Sequence, residues 1–121
     1  MTKAALILAL AASLWASSAS AMTVQEFLTS ANRIPRNPTA LLRSDTRRLM
    51  DEVKQAFSTV RSDQTAAQAA GRRSATCMPE KVSLSADALL ARFNAIPAAR
   101  RNISVTQAVR EWMAAEHPCP I

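Results

Sequence analysis

Apolar side chains along this chain recur at three- and four-residue intervals and do not alternate, a pattern that predicts an all-α fold. The first helix opens on Thr23-Val24-Gln25-Glu26. This is a capping box, in which the threonine hydroxyl and the glutamate three residues on satisfy each other's free backbone N–H groups. Val24, Phe27, Leu28 and Ala31 then form one short apolar face. Pro35 and Pro38 stop that helix from continuing, so residues 32–44 read as a linker holding one turn around Ala40 to Leu42.

The second and longest helix begins near Asp45 and keeps Leu49, Met50, Val53, Ala56, Phe57 and Val60 on a core face. Arg47 with Asp51 and Arg48 with Glu52 stand at four-residue spacing on its other side, as solvated ion pairs. Beyond Val60 the alanines favour helix but no large apolar residue remains to hold it, which predicts a fraying extension ending at Gly71. A third helix follows Cys77-Met78-Pro79, capped by Ser83 or Ser85, with Leu84, Leu89, Leu90, Phe93 and Ile96 apolar and Pro97 at its close. The fourth starts at the capping box Ser104-Val105-Thr106-Gln107, carries Val105, Val109, Trp112 and Met113 inward, and is stopped by Pro118. Only a short connection separates the last two helices, so they are expected to pack antiparallel as a hairpin in a small four-helix domain.

The first 21 residues are patterned differently. Lys3 is followed by an apolar run from Ala4 to Trp15 and then by small residues ending Ala19-Ser20-Ala21, the three-part layout of a secretory signal peptide with cleavage expected after Ala21. The run is shorter than the roughly 20 residues that span a bilayer, so an uncleaved anchor fits less well. Residues 22–121 then form one helical domain with its core over roughly residues 44–119, in a periplasmic location.

That segment keeps every acid and all but one of the 15 basic residues. A cationic exported chain can meet an acidic protein, a membrane or a cell-wall surface, although the same surplus also serves solubility. Nucleic acid is not expected, because export separates the two and the basic residues are not interleaved with aromatics that stack on bases.

Compartment also decides the reading of Cys77 and Cys119, which in an oxidising space pair with each other. The competing readings each lack a part. A structural zinc site needs about four Cys or His ligands, and His117 is the one histidine, which leaves His117-Pro118-Cys119 a weak metal candidate. An oxidised thiol cannot act as a nucleophile. The expected hairpin would place both cysteines at adjoining helix ends, and closing a loop of about 43 residues stabilises a fold by roughly 4 kcal/mol on the chain-entropy account.

No phosphate loop, nucleophile elbow or metal-binding helix motif is present, and no carboxylate pair is set apart as acid and base, so neither a catalytic residue nor a cofactor is expected. Two basic loops, Arg72 with Arg73 and Arg100 with Arg101, are the candidate partner-binding residues, since guanidinium groups grip acidic surfaces through paired hydrogen bonds.

Cys77-Met78-Pro79 with Val82, Leu89 and Leu90, Pro97 before a basic turn, Ala108 and Val109, and the closing Pro118-Cys119 make the C-terminal half resemble the Rap1a/Tai immunity domain. That resemblance implies a small exported helical protein that binds and inhibits a peptidoglycan amidase effector delivered by type VI secretion. Two other readings stay open at this point: an acid-activated periplasmic chaperone of the HdeA type, and a cationic module that adheres to the envelope. A homodimer is compatible with each.

Overall fold

The computed structural model describes residues 21–120; the expected signal peptide up to Ser20 lies outside the described residues. Four α-helices follow in order: α1 over Val24–Asn32, α2 over Ser44–Ala69, α3 over Ala86–Asn94 and α4 over Val105–Glu116. Short 3-10 turns occupy Pro38–Leu42 and Ala98–Arg100. The described residues contain no strand, and the all-α expectation holds.

Local chemistry sets the helix starts. Thr23 Oγ1 accepts from the Glu26 N–H (3.1 Å), Ser85 Oγ from the Ala88 N–H (3.1 Å) and Ser104 Oγ from the Gln107 N–H (3.0 Å). Of the two choices for the third helix, Ser85 is therefore the cap. Gln107 does not return the bond that a full capping box requires; its Oε1 accepts from Arg110 instead. At the far end of α2, Gly71 takes φ +67°, the Gly71 N–H reaches the Gln68 carbonyl and the Arg72 N–H reaches that of Ala67. These are the two bonds of a Schellman stop, which needs a left-handed residue at this place.

The apolar faces meet in one core, whose largest fully enclosed members are Phe93, Met113, Val24, Val105 and Val109. Phe27 and Phe93 pack edge to face with ring centroids 5.2 Å apart, and Phe57 meets Trp112 the same way at 6.2 Å. Met22, Val24, Phe27 and Leu28 belong to this core, which so reaches well ahead of the 44–119 span expected to hold it. The broad face of α4 lies along α2, while α3 packs on α1. The last two helices are thus neighbours in sequence, but α4 takes α2 as its main partner in place of the α3 expected beside it.

Three other expectations are corrected. Met50 is 47% exposed, because it stands about 100° around the helix from Leu49 and both cannot face one core. Neither Arg47–Asp51 nor Arg48–Glu52 forms an ion pair; among the described residues the pairs are Arg43–Asp45, Arg100–Glu111 and Arg110–Asp63. The end of α2 is not frayed, because polar groups hold what apolar ones cannot. Gln64, only 9% exposed, accepts the Met78 N–H at 2.7 Å and donates to the Met78 carbonyl at 3.3 Å. Arg61 donates to the Pro79 carbonyl, and Arg110 of α4 reaches Asp63.

Cys77 and Cys119 are joined, as expected. Beside the disulfide, Thr76 and Pro118 make an antiparallel bridge and the Cys77 N–H donates to the His117 carbonyl at 2.8 Å. The staple therefore fastens the end of α4 to the segment that Gln64 grips.

Two outcomes follow for stability. Gln64→Leu leaves the Met78 N–H and C=O buried without partners and should cost about 1–3 kcal/mol in urea unfolding, with Gln68→Leu, on the exposed side of α2, as a near-neutral control. Reduction of the Cys77–Cys119 bond releases a 42-position loop and should lower stability by about 2–4 kcal/mol; an unchanged melting temperature in reducing buffer would show that the bond carries no stability.

Candidate functional site

The four arginines singled out from the sequence meet different fates. Arg72 and Arg73 are exposed just past the Schellman stop and make no ion pair among the described residues. Arg100 pairs with Glu111 at 2.8 Å, a solvent-exposed contact of small energetic weight. Arg101 is half-buried, and its guanidinium donates to the Ile96 carbonyl at 3.0 Å and the Asn94 carbonyl at 3.1 Å. Those carbonyls are left free where α3 ends, so Arg101 acts as a brace on that end. Its own carbonyl accepts the Gln25 N–H, which ties the same loop to α1. Among the described residues no hydrogen bond or ion pair links the two pairs into one patch.

His117 closes α4, with its N–H on the Met113 carbonyl. No group of three His, Cys, Asp or Glu side chains suited to a metal ion occurs among the described residues. Both cysteines are bonded to each other, so neither is available as a thiolate ligand or a nucleophile.

The feature that stands out lies elsewhere. An open groove of about 1000 Å³ runs between α1, the Pro38–Leu42 turn, α2 and α3. Phe27, Ile34, Leu49, Val53, Leu84 and Leu90 give it an apolar floor, and Arg36, Lys54 and Asp87 are the charged residues lining it. At its edge Leu41 is 69% exposed and Leu42, next in the same turn, 75%. Together with Met50 these are the exposed large apolar side chains of the described residues.

The sequence builds this edge by preventing a helix. Pro35 and Pro38 break the path from α1 to α2, and Asn37 Oδ1 accepts from the Thr39 N–H at 3.0 Å to start a tight turn. The turn is then locked to α2 by a two-pronged contact, Arg43 Nε to Asp45 Oδ1 at 3.0 Å and Nη2 to Oδ2 at 2.8 Å. The hydrogen bond from Arg43 lowers the Asp45 carboxyl below its ordinary range, and the same bond raises the Arg43 guanidinium. With both ends pinned, Leu41 and Leu42 are presented outward. On the α2 side, Thr46 lines the groove with a buried hydroxyl that has no hydrogen-bond partner among the described residues.

Sequence reasoning placed this segment in a linker and so missed the groove. The usable signal was Leu41-Leu42 itself: two adjacent leucines in a proline-bounded turn have no helix face to share.

No family model, curated protein or solved structure matches the chain.

If Arg101 is a brace and Arg72 and Arg73 are solvated, alanine substitutions separate them. Arg101→Ala should destabilise the protein by about 1–2 kcal/mol, whereas the Arg72→Ala and Arg73→Ala changes should each stay within about 0.5 kcal/mol. Urea denaturation midpoints at constant slope would check this.

Proposed function

We propose that this protein is an exported, non-enzymatic binding protein of the immunity type, and that the groove edged by Leu41, Leu42 and Met50 is the surface that engages its partner. The observation that carries the reading is that Leu41 and Met50 line the groove while standing exposed, with exposed Leu42 next to Leu41 in the turn. Soluble proteins seldom leave such a patch uncovered, and burying one leucine is worth about 1.5–3 kcal/mol, which two leucines and a methionine turn into a usable anchor.

The charge around the groove bears on the partner. Arg36 and Lys54 outnumber Asp87, so the fitting occupant is an amphipathic segment with an apolar stripe and acidic flanks. The resemblance of the C-terminal half to Rap1a/Tai immunity domains supplies a class for it, a cell-wall amidase in the periplasm. The disulfide suits an oxidising compartment and agrees with the leader-like first 21 residues. Inhibition by occlusion asks no reactive group of the binder.

The same leucines favour a second reading, a client-holding protein of the envelope. A holdase grips unfolded chains of many kinds and suppresses their light scattering. An immunity-type protein selects one folded enzyme and protects against it.

Capture from an envelope extract tests the proposal. The wild-type protein should retain an amidase and lower its activity on peptidoglycan, and Leu41→Asp with Leu42→Asp should weaken retention at least about tenfold, because each aspartate would be desolvated in the interface. Both positions are exposed, so the melting temperature should hardly move. Arg72→Ala with Arg73→Ala should leave retention as it was. Undiminished capture by the aspartate variant would sink the groove as the site.

A further inference from the structure

We propose that the Ala21–Met22 peptide bond is where this chain is processed, and that the new ammonium group on Met22 is received by the Glu52 carboxylate of α2. The inference rests on the export reading but concerns a different part of the molecule from the groove.

The fold begins at Met22. Ala21 is exposed, whereas Met22 is 5% exposed and sits in the core. From Met22 onward the backbone is fastened to the loop before α4 and to the start of α4. The Met22 carbonyl accepts the Val105 N–H at 2.9 Å, the Val24 N–H donates to Ile103 at 2.9 Å, and the Gln25 N–H donates to Arg101 at 2.9 Å. A peptidase needs its target bond extended and free on both sides, and in the folded chain Met22 is buried and bonded, so the cut must come before the chain folds. The small residues Ala19 and Ala21 are the side chains such an enzyme accepts before the bond.

What surrounds the bond is built for charge. Ala21 and Met22 share a mainly polar hollow of about 240 Å³ with Arg48, Glu52, Gln55, Thr59 and Thr106. Glu52 is half-buried there and has no hydrogen bond or ion pair among the described residues, even though Arg48 stands one turn before it and lines the same hollow. In the uncut chain the Met22 nitrogen is a neutral amide. Hydrolysis by a signal peptidase adds one water. The water oxygen joins the Ala21 carbonyl carbon, the bond to nitrogen breaks, and the products are a carboxylate on Ala21 and an ammonium on Met22. A group with no charge is thereby replaced by a cation with three donors, in a hollow that Glu52, without a partner among the described residues, lines together with Gln55, Thr59 and Thr106. Arg48 and Glu52 are the charged residues lining the hollow, so the ammonium has one anion to meet and one cation to avoid.

Processing would then do more than remove a leader. It would complete an ion pair that locks the strand-like start of the chain onto α2, next to its bonds with α4, and the mature protein would be the more stable form.

Four proteins test this: chains released from a cleavable fusion so as to begin at Met22 or at Ala21, each with Glu52 or with Glu52→Gln. The chain beginning at Met22 should melt about 2–6 °C above the one beginning at Ala21, and Glu52→Gln should erase that gap. The gap should be present in full at about pH 6 and be lost as the pH rises through the alkaline titration of the ammonium, because a cation stabilised by folding loses its advantage when it deprotonates. Sequencing of the protein isolated from the envelope should find Met22 first. A gap that is absent, or that survives Glu52→Gln, overturns the docking of the ammonium. A different first residue overturns the processing site as well, and a chain that keeps its leader also removes the export reading on which the inference rests.

Discussion

α4 is fastened at both ends, and the rest of the molecule is arranged around that fact. At its start, backbone bonds from Met22, Val24 and Gln25 hold it and the loop before it to the beginning of α1. At its end, the disulfide and the Thr76–Pro118 bridge hold it to the segment after α2. Between these points its face, Val105, Ala108, Val109, Trp112 and Met113, is buried, mainly against α2. A helix of 12 residues is marginal on its own in water. Here the two fastenings fix its position and the apolar face supplies the energy, so α1 and α2 gain a rigid backing. Gln64 belongs to the same device, since the segment that the disulfide reaches is the one whose backbone Gln64 satisfies.

The asymmetry this creates has a functional sense. One side of the protein is stitched by backbone bonds, a covalent link and the Asp63–Arg110 pair. The other side, around the Pro38–Leu42 turn, carries the large apolar side chains that stand exposed among the described residues. A surface held in place before it meets a partner loses little conformational freedom on binding, so more of the contact energy appears as affinity. Prolines at 35 and 38, the Asn37 cap and the Arg43–Asp45 clasp all serve that end without needing a helix.

Much of this was legible in the sequence, because it is written in local terms. A Ser or Thr three residues ahead of a paired N–H, or a glycine that can take positive φ, acts within one turn of helix, and Thr23, Ser85, Ser104 and Gly71 all stand where such rules put them. The disulfide could be read from compartment and count alone. Partner choice could not. Whether α4 faces α3 or α2 depends on the summed fit of two whole faces, and the short connection after α3 argued for the wrong neighbour. Gln64 escaped notice for a related reason. In a run of alanines a glutamine looks solvated, and its value comes from the Met78 amide, 14 positions away, which no periodicity displays. Met50 was placed in the core by a face drawn too wide. The groove escaped because leucines in a linker are invisible to a search for helical stripes.

The timing of the two fastenings ties stability to location. The bond at the end of α4 needs an oxidising space, and on the processing inference the ion pair beside its start needs a peptidase that works at the membrane during export. Before both events the chain has its apolar core, its backbone and side-chain hydrogen bonds and its exposed ion pairs, and a domain of about 100 residues has a small margin with those alone. Each event then acts on an opposite end of the same helix, so their effects are far enough apart to add. If the chain is exported as proposed, it would stay loose while it must be threadable and become firm where the proposed groove is used. On the proposals of export and of binding at the groove, one sequence serves both requirements: the order of chemical steps, and not a change of fold, would separate the exported state from the binding state.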